Sequence, residues 1–232
     1  MALKLISTQV LDVAANELAI AYARREMKPG GFFASYYRCD WETLQTRPIA
    51  ESTFLSLKFG EVGSLVAETL GEVFSCRAAR LPDGGCAVLR ADGTLLLFRP
   101  DGTLGGTFPL EYNQCPAYDI VYAGDLWFTA PKRGAVVRFS LERREMALRV
   151  GGENVFLSPL GLSKQGSALK ICCIGSKEVK TLRLPDYSLG ETHSFSGEFS
   201  APDRFFQVFR RGFVCLRNNL YAVENADTVS RE

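Results

Sequence analysis

Short apolar runs separated by Asp-Gly turns dominate the middle of the chain. Between Arg80 and Leu110, three such runs are interrupted by Asp83-Gly84-Gly85, Asp92-Gly93 and Asp101-Gly102. Type I′ and related hairpin turns need a positive φ, which glycine accepts without steric cost, so Asp-Gly between apolar runs is a strong hairpin signal. The stretch therefore predicts a meander of short antiparallel strands.

The same arrangement of runs and turns recurs along the chain. Corresponding turn glycines at positions 84, 124, 166 and 212 are separated by 40, 42 and 46 residues. They divide the sequence into four copies of about four strands each, which span residues 78–110, 117–150, 159–195 and 202–223. A repeat of this length with four short strands is typical of a β-propeller, in which one blade cannot bury its faces alone.

The first 74 residues are less regular. Alternation over Leu18–Ala23 and Phe32–Tyr37 predicts two strands joined by a loop. The first of these also has helix signals, because Asn16 can cap a helix and Pro29-Gly30 can end one, so an α+β fold with a helix at 16–27 is an alternative. We prefer the strand because the rest of the chain is β. Three further strands are predicted at Trp41–Thr46, Phe54–Phe59 and Leu65–Thr69.

The repeat length divides the 232 residues into five units, with six as an alternative. We therefore expect an all-β fold, a single β-propeller domain over residues 1–232 with five blades of four antiparallel strands. Propellers commonly close by pairing their two chain ends, which removes exposed strand edges. The alternating segment Leu3–Val13 is expected to pair with Leu220–Val223 in this way.

Two segments carry a family resemblance. The run Ser158-Pro159-Leu160-Gly161-Leu162 and the unit GDLWFTAPKRGAVVRF, which begins at Gly124, resemble the repeats of the NHL, YVTN and PQQ-like propeller superfamily. The resemblance covers roughly residues 75–224 and implies a propeller fold. The sequence lacks the Trp-Asp dipeptide with its Gly-His partner that is typical of WD40 repeats.

Composition and targeting signals narrow the classes of partner. Lys and Arg total 27 against 26 Asp and Glu, so the chain is nearly neutral. Its net charge therefore does not attract it to nucleic acid or to an anionic membrane. The first residues lack the features of a signal peptide, and no run of about 18 apolar residues occurs. Seven cysteines without a CxxC pair are expected to be buried free thiols. We expect a cytoplasmic monomer that binds neither nucleic acid nor membrane.

No catalytic constellation is evident, since His193 is the only histidine and the common phosphate-binding and nucleophile motifs are absent. The leading hypothesis is a non-enzymatic propeller scaffold without a cofactor, which binds a protein or peptide through the loops at one end. Aromatic and basic residues near predicted turns are the candidates for this contact, because such side chains concentrate at interface hot spots: Trp41, Tyr112, Tyr118, Arg133 and Arg211.

The alternative is a small-molecule or cation-dependent hydrolase or lactonase with its site at the channel mouth. Gluconolactonase-like propellers hold a divalent cation in the channel with Glu, Asn and Asp side chains, and oxygen ligands of this kind suit Ca²⁺. A resemblance to them would assign the cation to Asp119, Asn154 and Asp203, with Asn113 as a further candidate. The Glu-Gly-Pro segment that marks that family is missing.

Overall fold

Five four-stranded antiparallel sheets are arranged as the blades of a β-propeller in this computed structural model, which describes residues 2–152, 154–195 and 201–224. The chain begins with β1 (Ala2–Ser7) and then forms blade 1, which consists of β2 (Val10–Ala15), β3 (Ile20–Lys28), β4 (Gly31–Cys39) and β5 (Thr46–Pro48). Two helices follow, α1 (Glu51–Phe59) and α2 (Gly63–Leu70).

The remaining blades follow in sequence order. Blade 2 consists of β6 (Arg77–Arg80), β7 (Cys86–Leu89), β8 (Thr94–Phe98) and β9 (Leu104–Pro109). After a small hairpin of β10 (Glu111–Tyr112) and β11 (Cys115–Pro116), blade 3 consists of β12 (Ile120–Tyr122), β13 (Leu126–Ala130), β14 (Ala135–Ser140) and β15 (Glu145–Gly151). Blade 4 consists of β16 (Pro159–Gln165), β17 (Ala168–Cys173), β18 (Glu178–Arg183) and β19 (Leu189–Ser194). Blade 5 contains β20 (Pro202–Val208), β21 (Arg211–Leu216) and β22 (Asn219–Glu224), with β1 as its outer strand.

The Asp-Gly turns of blade 2 form as the sequence predicts. The carboxylates of Asp83, Asp92 and Asp101 each accept the backbone N–H two residues later at 2.9 Å. The glycines that follow these residues have φ angles of 92°, 84° and 81°. This turn chemistry fixes the register of the hairpins, and the four predicted repeats correspond to blades 2 to 5.

The predicted strands at Phe54–Phe59 and Leu65–Thr69 are wrong, because these segments form α1 and α2. The buried residues of α1 are Phe54, Leu55, Lys58 and Phe59, a spacing that places them on one helical face rather than on alternate sides of a strand. Apolar runs as short as these do not distinguish the period of a helix from the period of a strand. Within the described residues, no helix is long and apolar enough to cross a membrane.

Two further predictions in the first 50 residues need correction. The alternative helix at 16–27 is wrong, since the Asn16 side chain accepts the N–H groups of Leu18 and Ala19 in a tight turn that leads into β3. The predicted strand Trp41–Thr46 starts too early, because Asp40 accepts the N–H groups of Glu42 and Thr43 and makes a turn before the short β5. The six-blade alternative is also wrong.

The helices lie between blades 1 and 2. Strand β2 of blade 1 and β6 of blade 2 both contact α1. The core cluster at this junction combines small residues of blade 1, aromatic and aliphatic residues of the helices and the apolar face of blade 2, as in Ala21, Phe54, Phe59, Val88 and Phe98. The helical pair therefore fills the junction between blades 1 and 2.

The ring closes through the N-terminal strand. Strand β1 pairs antiparallel with β22, with Leu3 opposite Val223 and Leu5 opposite Tyr221. Closure is thus confirmed for residues 2–7. The remainder of the predicted closing segment is wrong in detail, because Val10–Val13 belongs to β2, the inner strand of blade 1.

Deleting residues 1–7 should expose the edge of β22 and the cores beneath Leu3 and Ile6. We expect the free energy of unfolding to fall by at least about 3 kcal/mol, because several ladder hydrogen bonds worth about 1 kcal/mol each are lost together with apolar burial. Urea unfolding and light scattering would measure the loss of stability and the onset of association. Leu5→Ala is the matched control, since Leu5 lies on the same strand but is half exposed. A truncated protein that stays monomeric with an unchanged midpoint would contradict this closure.

Candidate functional site

A cavity of about 530 Å³ follows the axis of the propeller. Its walls are the first strands of all five blades, and α1 adds Leu57 and Lys58. The lining also includes the loops after β2 and β6, at Asn16–Leu18 and Leu81-Pro82. The cavity therefore opens at the end of the propeller where the first and second strands of each blade are joined, which we call the mouth end.

The five predicted partner-binding residues do not form one surface. Trp41 follows the third strand of blade 1, and Arg211 begins the second strand of blade 5, so both lie at the mouth end. Tyr112, Tyr118 and Arg133 belong to the connections at the opposite end of the propeller. A single ligand can therefore contact only one of these two sets.

The mouth end carries an apolar rim that consists of Leu18, Trp41 and Phe209. Leu18 is 63% exposed and Phe209 is 49% exposed. The Trp41 and Phe209 rings have centroids 4.9 Å apart, and the Phe209 N–H donates to the Glu17 carbonyl at 2.9 Å. Blades 1 and 5 are therefore joined at this rim. Sequence reasoning missed Leu18 and Phe209, and the structure shows that Phe209 lies in the hairpin turn between β20 and β21 with a φ of 50°, which is uncommon for a phenylalanine.

Cationic side chains surround the mouth. Arg80 and Lys164 line the cavity, and both are exposed. A smaller groove of about 260 Å³ between blade 1 and α1 shares Asn16 and Arg80 with the cavity and adds Arg38. Glu17 and Asp119 are the acidic residues of the cavity lining, and Asp119 lies 3.9 Å from Arg77 below the mouth. Arg38, Arg80 and Lys164 outnumber Glu17 along the cavity opening and the groove, so this part of the mouth favours anionic groups on a ligand.

The candidates at the opposite end have structural partners. The Arg133 guanidinium donates twice to the Asn113 carbonyl, at 3.0 and 2.7 Å, and so attaches the turn Pro131–Arg133 to the β10–β11 hairpin. Tyr112 packs on the core of blades 2 and 3. Tyr118 is exposed, with the Arg77 guanidinium 5.7 Å from the centre of its ring.

Beneath the mouth lies a set of charged side chains, the channel network, formed by Asp12, Lys58, Arg77, Asp119 and Arg204. Asp12 is fully buried; its Oδ1 accepts from Arg204 at 2.8 Å and its Oδ2 accepts from Lys58 Nζ. Lys58 also donates to the carbonyls of Val73 and Cys76, at 2.5 and 3.0 Å. Arg77 lies 4.0 Å from Asp12 and 3.9 Å from Asp119. The charges of this network largely compensate one another.

The residues of the alternative cation site have different environments. Asp119 accepts the N–H groups of Ile120 and Leu162, both at 2.9 Å, and burial raises its pKa while Arg77 and Arg204 oppose that rise. Asn154 is exposed in the loop before β16. In the part of the chain that the structure describes, no group of three or more His, Cys, Asp or Glu side chains could hold a metal ion.

Asp203 differs from the other carboxylates of the inner strands. Its Oδ1 atom is buried and has no hydrogen-bond partner among the described residues. Burial raises the pKa of Asp203 to about 6, although Arg204 and Arg77 oppose the rise. The lone histidine, His193, lies away from the channel on β19, where its Nε2 is 3.5 Å from Glu191.

Replacing Asp12 tests the channel network. In Asp12→Asn, Lys58 and Arg204 keep their positive charges in a buried site without a compensating carboxylate, so we expect a loss of about 3–5 kcal/mol in the free energy of unfolding. Chemical denaturation measures this loss. The control is Glu142→Gln, which removes an exposed carboxylate and should change stability by less than about 0.5 kcal/mol. If Asp12→Asn changed the free energy of unfolding as little as Glu142→Gln does, the Asp12 carboxylate would not be needed to compensate Lys58 and Arg204.

Asp203→Asn tests the raised pKa. Because the folded pKa lies above the ordinary value of 3.8, the native state retains a proton that the unfolded chain has lost, and this contribution to stability decreases as pH rises from 4 to 6. Asparagine stays neutral, so the variant should gain about 1–2 kcal/mol over the wild type at pH 7 and almost nothing at pH 4. Thermal unfolding across this pH range measures the difference.

Asp186→Asn provides a control of opposite sign. Hydrogen bonds from Ser188 lower the pKa of Asp186, so its contribution to stability is present above the ordinary pKa and disappears in acid. This variant should lose stability at pH 7 and recover it at low pH. An Asp203→Asn variant with the same pH dependence as Asp186→Asn would show that the Asp203 pKa is not raised.

Comparison with known proteins connects the chain to others only through its fold. No family model matches the sequence, and no curated protein matches it. Among solved structures, a streptogramin B lyase is similar, with a TM-score of 0.57 and 11% identity over 94% of each chain. The glutaminyl cyclase of Myxococcus xanthus has a TM-score of 0.55 and 9% identity, over 97% of this chain and 94% of that one.

A WD40 domain is similar to about the same degree. The Pan2 WD40 domain of Neurospora crassa has a TM-score of 0.51 and 10% identity, over 93% of this chain and 88% of that domain. These similar structures include both enzymes and a WD40 domain, and at such low identity they show the fold alone. The chain is therefore a five-bladed β-propeller, and the propeller fold that its resemblance to the NHL, YVTN and PQQ-like repeats implied is confirmed.

Proposed function

We propose that this protein is a non-enzymatic propeller scaffold that binds a peptide segment of a partner protein at the mouth end. The observation that carries the proposal is the apolar rim beside the open channel, in which Leu18 and Phe209 are exposed and the half-buried Trp41 packs against Phe209. Exposed apolar groups that are bordered by charged residues are typical of protein interaction sites. Under this proposal the protein acts as a cytoplasmic monomer, without nucleic acid or membrane.

The chemistry of the mouth favours a particular kind of peptide. Trp and Arg are enriched at interface hot spots, and Trp41 and Arg211 both lie at this end. Arg38, Arg80 and Lys164 add positive charge beside the rim. We therefore expect an apolar anchor residue on the rim, with acidic residues next to it that extend toward the channel.

The state of the channel carboxylates supports binding over catalysis. Asp12 already accepts hydrogen bonds from Arg204 and Lys58, and Asp119 from two backbone N–H groups. A carboxylate whose oxygens are engaged in this way is less available to take a proton from a substrate. These groups therefore act as the floor of the binding site.

One observation favours the alternative of a small-molecule or Ca²⁺-dependent hydrolase. Asp203 has a pKa near 6 and an unpaired oxygen, properties that suit a general acid or base near neutral pH. In that case Asp203, Asp119 and Asn154 would be the residues to test as cation ligands.

A peptide selection tests the proposal. Peptides from a random display library that bind the full chain should contain an aromatic or aliphatic anchor with neighbouring acids. Phe209→Ala and Trp41→Ala should each weaken a selected peptide by about tenfold or more, which corresponds to about 1.4 kcal/mol for a hot-spot residue. Arg211→Ala should also reduce binding, and this reduction should diminish at high salt. Fluorescence anisotropy measures the affinities, and thermal unfolding shows that each variant is folded.

Tyr118→Ala is the matched control, because Tyr118 is an exposed aromatic residue at the opposite end. Loss of binding in this variant, with full binding in Phe209→Ala, would reject the mouth end as the site. Hydrolysis of a lactone that requires added Ca²⁺ and is abolished in Asp203→Asn would replace the proposal with the enzyme alternative.

A further inference from the structure

The β3–β4 hairpin extends beyond the rest of its blade. Strand β2 pairs with β3 only as far as Arg24, and β5 pairs with β4 only over Tyr37–Cys39. Residues 25–34 consequently form a two-stranded arm with its turn at Pro29-Gly30. Because this turn joins the second and third strands of the blade, the arm lies at the end opposite the mouth.

The arm exposes large apolar side chains. Met27 is 70%, Phe32 is 61% and Phe33 is 46% exposed. Met27 and Phe32 are directly opposite each other on the two strands, and the Arg25 guanidinium lies 5.5 Å from the centre of the Phe32 ring. Arg25, Met27 and Phe32 therefore share one face of the arm, and Phe33 lies on the other face. Their exposure makes the arm a candidate contact surface, since apolar side chains grouped in this way mark interaction sites.

Beyond these pairings neither edge of the arm has a strand partner among the described residues, and the β3 edge has unpaired main-chain groups beside a groove. The Arg25 N–H points away from β4 and donates to the Gln9 carbonyl at 2.9 Å. Hydrogen-bonding direction alternates along a strand, so the N–H and C=O of Met27 point to the same side. No strand of the described residues pairs with β3 there, and a groove lined by Thr8, Gln9 and residues 24–28 runs beside this edge.

The charge of the arm limits what can occupy this edge. Arg24, Arg25 and Lys28 carry three positive charges against the one negative charge of Glu26, which is bound by Arg24, Ser35 and Tyr37 and lies 3.8 Å from Lys28. The balance of this segment is therefore positive. A second copy of the arm would place these cations against one another, which is destabilising across paired strands. Insertion into lipid would bury the unpaired main-chain groups of Met27 without partners, at a cost of several kcal/mol for each group. An extended acidic segment satisfies both the charges and the main chain.

We propose that the free edge of β3 binds an extended acidic segment of a partner protein by strand addition. Main-chain hydrogen bonds to Met27 supply the pairing, and alternate side chains of the segment cover Met27 and Phe32 or place their carboxylates near Arg25 and Lys28. This surface is separate from the apolar rim at the mouth, so the two proposals stand or fail independently.

A synthetic octapeptide of alternating Glu and Val, labelled with fluorescein, is the probe, and its anisotropy is measured with the full chain. Arg25→Glu and Lys28→Glu should each weaken binding by about tenfold or more, the fold-change that corresponds to about 1.4 kcal/mol for a charge-assisted contact. Met27→Pro removes the N–H on the free edge but leaves the pairing with β4, because that N–H points away from β4. It should abolish binding of the probe. Arg149→Glu, an exposed charge reversal on blade 3, should leave binding unchanged.

Hydrogen exchange gives an independent measurement. Bound probe should slow exchange of the Met27 amide, while amides at Leu18 and Phe209 should be unaffected. The proposal is overturned if the probe does not bind at millimolar concentration, if a Lys-Val octapeptide binds equally well, or if Met27→Pro binds like the wild type. Binding of the arm to phosphatidylserine vesicles without binding of the probe, or dimerisation that Met27→Pro abolishes, would likewise assign the arm to a different occupant.

Discussion

The buried carboxylate of Asp12 is the contact on which the arrangement of the ring depends. It belongs to blade 1, yet it accepts hydrogen bonds from Arg204 of blade 5 and from Lys58 of α1. Lys58 in turn donates to the carbonyls of Val73 and Cys76, in the segment that leads into blade 2. Buried charges are costly unless they are paired with good geometry, so these three side chains have to be positioned together. One carboxylate thereby links two blades, a helix and the approach to a third blade.

The helical pair completes the ring of five blades around the channel. Helices α1 and α2 fill the gap between blades 1 and 2, where they bury Phe54, Phe59 and Val66. The helices also break the symmetry of the propeller, and the junction that they fill has a groove that shares Asn16 and Arg80 with the channel. This groove adds Arg38 to the positive charge that Arg80 and Lys164 place at the mouth.

The two ends of the propeller carry different surfaces. At the mouth, Trp41 and Phe209 unite blades 1 and 5 in an apolar rim above the charged floor of the channel. At the opposite end, the β3–β4 arm exposes Met27 and Phe32 beside an unpaired strand edge. The first surface suits a compact side chain, while the second suits an extended main chain. Under the two proposals, one propeller holds two segments at once, provided that a partner reaches both ends.

The sequence by itself determined the parts of this protein that depend on local chemistry. Asp-Gly turns such as Asp92-Gly93 fix hairpins within a few residues, so blades 2 to 5 and the pairing of residues 2–7 with the last strand could be predicted. The tertiary structure alone decided that residues 51–70 are helical, because a short apolar run fits either period until its neighbours are present. The tertiary structure also decided which residues meet in the channel network and in the apolar rim. Asp12 and Arg204 are 192 positions apart, and Trp41 meets Phe209 only once the ring has closed, so no local pattern could place these residues together.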